Sequence, residues 1–367
     1  MPQTINLGLI GCGKISDAYF AGCARYDFIR IAACADLDVA RARAKAAEHR
    51  LRGCSVEELL ADPTIDLVIN LTIPQAHAGV NLAALRAGKH VYTEKPFALD
   101  SRDGAAVLAL ARGKNLLVGC APDTFLGGGL QTARHAIDAG AIGRPVSALA
   151  FMLCRGHETW HPSPQFYYQR GGGPMFDMGP YYITALVNFL GPVARVCGSA
   201  QSAFAERTIT SQPLAGAKIP VETPTHVTGV MDFASGATAT IVTSFDTYPI
   251  TLPRLAVFGT DGTLEAPDPN RFDGSVLVRH GGDEKFAEYP HTHTTDRGRG
   301  SGVADMARSI LRRDRPHRAS GELAQHVLEV MEAFEKSSVS GRHVQIASTC
   351  ARPAALPPGL SANEIDS

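Results

Sequence analysis

The sequence lacks several features that would place it in other classes of protein. Its 367 residues carry 35 Lys and Arg against 36 Asp and Glu, and no long basic run, so nucleic acid is a poor candidate partner. No apolar stretch has the length needed to span a bilayer. The apolar segment Ile5–Ile10 begins almost at Met1, which leaves no room for a signal peptide. We therefore expect a cytoplasmic protein with no membrane partner.

Cysteine is present but has no pattern. The eight cysteines are scattered, without a CxxC pair or metal-ligand spacing. Several lie in apolar, strand-like segments, where a free thiol behaves as a small hydrophobic side chain. This distribution favours a reducing compartment and predicts no metal site.

One apparent metal motif is discounted on local grounds. His157-Glu-Thr-Trp-His161 matches HExxH, which binds zinc when one helix face carries both imidazoles. Pro162 disfavours helical geometry at His161, so a peptidase is not predicted. Trp160 is the only tryptophan, and its ring, with His157 and His161 beside it, suits a sugar substrate. The alternative is that Trp160 packs this loop onto a sheet.

The amino-terminal segment carries a dinucleotide-binding pattern. The predicted strand Ile5–Ile10 runs into Gly11-Cys-Gly-Lys-Ile-Ser16 and then a helix at about 16–25. Gly11 permits a tight turn, and Gly13 lets the backbone approach a pyrophosphate at the helix amino terminus. Ser16 stands where Gly or Ala is usual. The predicted cofactor contacts here are Gly11, Gly13, Lys14 and Ile15.

Asp36 supplies the second half of this pattern. It ends the predicted strand at residues 29–35, twenty residues after Ser16. An acidic side chain there accepts hydrogen bonds from the ribose hydroxyls and repels a 2′-phosphate. No Arg immediately follows Asp36, so NAD is favoured and NADP is less favoured. The alternative role for Asp36 is a helix N-cap.

Strands and helices then alternate, which predicts βαβ units and a parallel sheet. Thr72 and Pro74 follow one strand and should line the cofactor with His77, although a structural turn explains them nearly as well. The strand His90–Thr93 is followed by Glu94, Lys95 and Pro96, at the edge where parallel sheets place ligands. A lysine there works in acid–base catalysis if a dry site lowers its pKa. We therefore predict a Rossmann domain at residues 1–123.

The pattern changes after residue 123. Alternating strands predict a second α/β domain at residues 124–350, with a large, mostly antiparallel sheet that offers one face to a partner subunit. Residues 207–220 resemble an irregular loop, residues 297–300 resemble a solvated loop, and His326 resembles a core histidine. An extended or mobile tail is expected at residues 351–367.

A second informative stretch runs from Arg170 to Tyr182. Its glycines and prolines predict a loop followed by a helix that begins near Asp177 and ends at about Leu190. A polar stripe then shares one helix face, and it requires partners or a cavity: Asp177, Tyr181, Thr184 and Asn188. An N-capping Asp177 and a core Tyr181 are the alternative.

Taken together, these motifs resemble the Gfo/Idh/MocA oxidoreductases (glucose–fructose oxidoreductase, inositol dehydrogenase and relatives). The resemblance rests on Gly11-x-Gly13, Asp36, Glu94-Lys95-Pro96 and Gly171-Gly-Gly-x-x-x-Asp177-x-Gly179, and it covers nearly the whole chain. It implies a Rossmann domain followed by an α/β domain whose open sheet often mediates homodimers or homotetramers. It also implies that Lys95 is the catalytic lysine, with Asp177 as its partner in the substrate site.

The sequence departs from the family pattern at one position. The motif usually reads D-x-G-x-H, and Tyr181 occupies the position of the histidine. A nearby lysine cation stabilises a tyrosinate and lowers the tyrosine pKa. Our hypothesis is that Tyr181 accepts the substrate proton, or shares that role with Lys95.

The sequence thus predicts an NAD-dependent dehydrogenase or reductase that acts on a sugar, glycoside or polyol hydroxyl. Two alternatives stay open. One is a glycosidase that works through a transient keto-sugar and regenerates its NAD. The other is a non-catalytic regulator that senses sugar or NADH.

Overall fold

A computed structural model describes residues 4–248 and 250–366 of the protein. The helices are α1 Ser16–Cys23, α2 Val39–His49, α3 Val56–Ala61, α4 His77–Arg86, α5 Ser101–Gly113, α6 Gly128–Asp138, α7 Gly173–Leu190, α8 Ser301–Arg312 and α9 Gly321–Ser340. The amino-terminal strands are β1 Ile5–Ile10, β2 Ile29–Ala35, β3 Arg52–Cys54, β4 Leu67–Asn70, β5 His90–Thr93 and β6 Val118–Cys120. Later strands are β7 Pro145–Leu153, β8 Val193–Gln201, β9 Glu206–Thr208, β10 Lys218–Pro220, β11 His226–Phe233, β12 Thr238–Ser244, β13 Leu255–Gly259, β14 Gly262–Ala266, β15 Val276–His280, β16 Ala287–Tyr289 and β17 Val344–Gln345.

The first sheet is the predicted Rossmann sheet. Its strand order is β3-β2-β1-β4-β5-β6, and every pairing is parallel. The central strands are almost continuously buried and apolar, because helices cover both faces of a doubly wound sheet. All strands end at the same edge, which carries the glycine loop after β1 and the Glu94-Lys95 segment after β5.

The second sheet has nine strands in the order β16-β15-β14-β13-β7-β12-β11-β8-β17. Only the β7–β12 pair is parallel, so the mostly antiparallel sheet is confirmed. α7 packs on β7, β11 and β12 and buries one face. On β7 and β12, fully buried residues alternate with partly exposed ones, which leaves the opposite face open.

The chain divides into two compact units. Of the described residues, the first unit contains 4–128, 293–325 and 353–366, and the second contains 129–248, 250–292 and 326–352. These bounds differ from a simple division at residue 123, because the chain returns to the first unit twice. The described part of the carboxy-terminal segment has no helix or strand, but it packs onto the first unit rather than being mobile: Arg318 forms an ion pair with Asp366 at 2.9 Å, and Ile365 is fully buried.

Two other local predictions are wrong. Residues 207–220 are not simply an irregular loop, because β9 and β10 pair there as an antiparallel hairpin. Residues 297–300 are not a solvated loop, because Arg297 and the Arg299 side chain are largely buried. His326 is a core residue as predicted, and its Nε2 accepts the backbone N–H of Val193 at 2.9 Å. No helix in the described ranges 4–248 and 250–366 is long and apolar enough to cross a membrane.

Candidate active site

The loop between β1 and α1 has the geometry that a phosphate-binding turn needs. Gly11 has φ +101°, and a Cβ there would lie 2.6 Å from the Leu71 carbonyl oxygen, so glycine is required. A Cβ built on Gly13 would meet nothing within 4 Å, which leaves its backbone open to a close ligand. The Ser16 hydroxyl donates to the Gly13 carbonyl at 2.7 Å, so the unusual serine points into the turn. The loop and the helix amino terminus fit a dinucleotide pyrophosphate.

Asp36 links this loop to the end of β2. Its Oδ2 accepts the backbone N–H of Cys12 at 2.8 Å, and its Oδ1 accepts that of Asp38 at 3.0 Å. The N-cap of α2 is Asp38 rather than Asp36, because the Asp38 carboxylate accepts from the amides of Ala40 and Arg41. Sequence reasoning missed Arg41, whose Nη1 lies 3.5 Å from Asp36 Oδ1. A basic side chain therefore stands beside the acidic one, although it does not follow directly in sequence.

The turn after β4 is fixed by Asn70 and His77. Asn70 Oδ1 accepts the hydroxyl of Thr72 at 2.7 Å, and its amide donates to Asn81 at 2.8 Å. The ring of His77 is buried between the carbonyls of Pro96 and Thr72, at 2.6 and 2.9 Å. Burial lowers the pKa of His77. His77 thus ties the turn to Pro96, and both its ring nitrogens face main-chain oxygens rather than an open surface.

Three residues of the first unit hold the Glu94 carboxylate. Its Oε1 accepts the Tyr19 hydroxyl at 2.8 Å, and its Oε2 accepts the backbone N–H of Lys95 at 3.0 Å. Arg299 Nη1 lies 3.5 Å from Glu94 and 3.9 Å from the fully buried Asp123. Sequence reasoning did not find Arg299, because no local pattern connects residues this far apart.

The two carboxyl groups beside Arg299 differ in their electrostatics. Burial alone would raise the pKa of Glu94, but Arg299, Lys95 and the Tyr19 hydrogen bond outweigh it, so the pKa is lowered. For Asp123, burial prevails over Arg299 and the pKa is raised. Glu94 is therefore a stable anion beside the backbone of Lys95.

In the second unit, α7 begins earlier than predicted. It starts at Gly173, with φ +75°, and Pro174 occupies the first turn. Pro180 lies inside the helix, beyond the first turn, where proline was not expected. The helix continues past Pro180 because residues 179–190 are all buried, and tertiary packing offsets the missing hydrogen bond.

The structure brings Asp177, His157 and Trp160 together. His157 Nε2 lies 3.2 Å from Asp177 Oδ2, and the Trp160 indole N–H donates to His157 Nδ1 at 3.2 Å. The Trp160 side chain is 57% exposed, so the alternative of Trp160 as a packing anchor is wrong. The rings of His157 and His161 flank the indole at 5.2 and 5.4 Å between centroids.

An ion-pair cluster anchors the loop that carries these residues. Arg207 lies 3.0 Å from Glu158 and also pairs with Asp246, and all three side chains are buried. The hydroxyl of Tyr168 donates to Glu158. The residues of the HExxH match therefore form a turn, and its glutamate is committed to Arg207 rather than to a metal site.

The polar stripe predicted on α7 consists of three buried residues and one partly exposed residue. Asn188 binds Arg134, whose Nη1 lies 3.0 Å from the Asn188 Oδ1. Tyr181 and Thr184 are buried, with 5% and 3% exposure. Asp177, at the amino-terminal end of the stripe, is the partly exposed member, with 16% of its side chain exposed.

Comparison with known proteins agrees with this fold and these motifs. Residues 5–121 match the family model for the oxidoreductase family with an NAD-binding Rossmann fold, and residues 130–265 match the GFO/IDH/MocA C-terminal domain. The chain belongs to the Gfo/Idh/MocA oxidoreductase family.

Individual relatives act on sugars. 1,5-anhydro-D-fructose reductase of Ensifer adhaerens is 34% identical over 146 residues, which cover 39% of this chain and 44% of that protein. The match thus spans less than half the length of this relative. D-xylose 1-dehydrogenase (NADP(+)) 2 of Haloferax volcanii is 28% identical over 325 residues, 86% of this chain and 91% of that protein. An NAD binding oxidoreductase from Klebsiella pneumoniae superposes with a TM-score of 0.80 at 25% identity, covering 94% of this chain and 99% of that structure.

Proposed function

We propose that this protein is an NAD-dependent dehydrogenase or reductase that acts on a hydroxyl group of a sugar, glycoside or polyol. The observation that carries the proposal is the pairing of Asp177 with His157 beside the exposed indole of Trp160. Carboxylate and imidazole groups bind hydroxyls, and an aromatic face packs against the C–H face of a sugar ring. The sugar-specific relatives support the same substrate class.

The cofactor supplies the redox chemistry, because nicotinamide accepts a hydride from the substrate carbon when it is bound. Gly11, Gly13, Lys14, Ile15 and Asp36 are proposed to hold its adenosine and pyrophosphate portion. Thr72, Pro74, His77, Glu94 and Lys95 are proposed to border the cofactor at the strand edge. For His77 the role is to position the turn, because both ring nitrogens face main-chain oxygens.

The proposed catalytic residues are Lys95, Asp177 and Tyr181, and the proposed substrate contacts add His157, Trp160 and His161. The Lys95 ammonium stabilises the oxyanion that forms when the substrate hydroxyl loses its proton. Removal of that proton is needed for hydride loss from the same carbon. We prefer NAD over NADP because Asp36 places a negative charge where a 2′-phosphate would bind.

We further propose that the open face of the nine-stranded sheet joins two or four copies of this chain. Leu149 and Phe151 alternate with buried residues on β7, and Phe151 pairs with Val242 on β12. Val230 on β11 is 40% exposed. Light scattering should give the mass of a dimer or tetramer. Phe151→Glu should lower that mass, whereas Val339→Glu, at an 86% exposed position on α9, should not.

The experiment that tests the function is a substrate panel with purified protein. D-xylose, 1,5-anhydro-D-fructose, monosaccharides, glycosides and inositols are incubated with oxidised or reduced NAD and NADP, and cofactor absorbance and sugar products are followed together. Net cofactor turnover with one substrate supports the proposal. Glycoside cleavage at constant NADH identifies the glycosidase, and binding without turnover identifies the sensor.

A further inference from the structure

His157 carries a defined proton arrangement. Its Nδ1 accepts the indole N–H of Trp160 at 3.2 Å, and an indole can only donate. The neutral imidazole therefore carries its proton on Nε2, from which it donates to Asp177 Oδ2 at 3.2 Å. The carboxylate holds one side of the ring while the other side presents an acceptor nitrogen.

The surroundings keep the ring in this orientation. Its centroid lies 4.2 Å from that of Tyr167 and 4.5 Å from that of Phe245. The backbone N–H of His157 donates to the Tyr168 hydroxyl at 3.3 Å. Glu158 and Arg207 anchor the same loop through their buried ion pair. Acid–base groups act best when packing fixes them in this way.

The partner of this acceptor nitrogen is the indole N–H of Trp160, which is an exchangeable donor. The Trp160 side chain is 57% exposed, so its N–H can give way to a substrate hydroxyl as the donor to Nδ1. An imidazole with a carboxylate on one nitrogen and a hydroxyl on the other is a general base whose cation the carboxylate stabilises.

We propose that His157, held by Asp177, is the general base that removes the proton of the substrate hydroxyl. The inference rests on the proposed function and makes His157 the counterpart of the histidine that Tyr181 replaces in the D-x-G-x-H motif. In oxidation, the O–H bond breaks and its proton goes to Nδ1, a C=O bond forms, and the hydride of the same carbon leaves to bound NAD. In reduction, the imidazolium returns the proton to the forming alcohol.

The fluorescence of Trp160 reports on the pairing of His157 with Asp177 (the dyad) without turnover, because Trp160 is the only tryptophan. Protonation of Nδ1 breaks its hydrogen bond with the indole, and an imidazolium quenches indole emission. We expect Trp160 emission to titrate with pH and the titration to vanish in His157→Gln. The other titratable groups around the ring are His161 and Tyr167, with Tyr168, Glu158 and Arg207 behind the loop.

The matched variant for this titration is His161→Gln, since that ring also lies close to the indole. The dyad predicts that the titration survives in His161→Gln and is lost in His157→Gln. The opposite pattern overturns the proposal.

Turnover provides the second readout, with the best substrate of the panel described above. His157→Gln should lower kcat by about a hundredfold or more, the range for a lost general base, while KM changes little. His343→Gln, an exposed change in the same unit, is the control. A His157→Gln variant with nearly unchanged kcat overturns the inference and leaves Lys95 or Tyr181 as the base. If the wild-type protein turns over no substrate, the proposed function fails, and the Trp160 titration decides separately whether the dyad exists.

Discussion

The carboxylate of Asp36 accepts the backbone N–H of Cys12 at 2.8 Å, so the acidic residue that ends β2 also holds the glycine loop that follows β1. One side chain thus combines a structural contact with the charge that is proposed to select NAD. The two contributions can be separated, because an asparagine keeps an acceptor oxygen for Cys12 but removes the charge.

Cofactor preference is the first prediction. Asp36→Asn should raise the ratio of kcat/KM with NADP to that with NAD by about tenfold, equivalent to ~1.4 kcal/mol, because a 2′-phosphate no longer meets a carboxylate. Arg41→Ala should lower the same ratio, since Arg41 lies 3.5 Å from Asp36 and offers a cation to that phosphate. Steady-state kinetics with both cofactors checks this. An equal NADP-to-NAD ratio of kcat/KM in the wild type, Asp36→Asn and Arg41→Ala would show that Asp36 does not select the cofactor.

The second prediction concerns the cation that Glu94 and Asp123 share. Arg299→Met should destabilise the first unit by about 3–5 kcal/mol, because it leaves buried carboxylates without their positive partner. Denaturant unfolding measures the loss. Arg299→Met combined with Glu94→Gln should recover part of it, since one buried charge is then removed. Additive losses in the double variant would contradict electrostatic coupling between these residues.

A third prediction concerns the loop that carries His157. Arg207 pairs with Glu158 and Asp246 in a buried cluster, so Arg207→Met should cost about 3–5 kcal/mol in unfolding free energy. The loop should also lose its ordered structure, which would raise the solvent exposure of Trp160 and shift its fluorescence emission to longer wavelength. Arg195→Met, which breaks the more exposed pair with Asp232, is the control and should cost about 1 kcal/mol or less. Equal costs for the two variants would rule out a special role for the buried cluster.

Stability at low pH gives the fourth prediction. Burial, with help from Arg313, lowers the pKa of His90 to about 4, and its Nδ1 accepts the N–H of Leu117 at 2.9 Å. The unfolded chain takes up this proton near pH 6.5, before the folded protein does. Stability is therefore complete above about pH 6.5 and falls towards pH 4, by up to about 3 kcal/mol from this group.

His90→Asn should flatten this part of the pH profile, because the amide oxygen accepts the same N–H but does not titrate. His280→Asn, at an exposed position, should leave the profile unchanged. Urea unfolding between pH 4 and 7 measures both. An unchanged slope in His90→Asn would mean that other groups cause the acid sensitivity.

Local motifs predicted the first unit well. The glycine loop, Asp36 and the position of Lys95 after β5 follow from short patterns whose residues are close in sequence, and the sheet follows from the alternation of strands and helices. The predicted start of α7 near Asp177 was wrong because proline was given too much weight as a helix breaker. Burial of residues 179–190 keeps Pro180 in the helix. The β9–β10 hairpin was missed because three-residue strands carry too little periodicity to recognise.

Long-range pairings could not be read from the sequence. Arg299 with Glu94, Arg207 with Glu158, and Asp177 with His157 join residues that share no common helix or strand. The sequence marked His157 and Asp177 separately, each from its own motif, but no spacing rule connects a loop histidine to a helix residue. Such pairs are fixed by the tertiary fold.

The central claim is most directly tested by measuring cofactor turnover in wild-type protein and Lys95→Ala across the sugar panel. The account predicts NADH formation, or NADH consumption in the reductive direction, with at least one sugar or polyol, and a loss of about a hundredfold or more in kcat for Lys95→Ala. Tyr181→Phe in the same assay shows whether the phenol also takes part. Full turnover by a folded Lys95→Ala variant, or none by the wild-type protein with any substrate, would contradict the account.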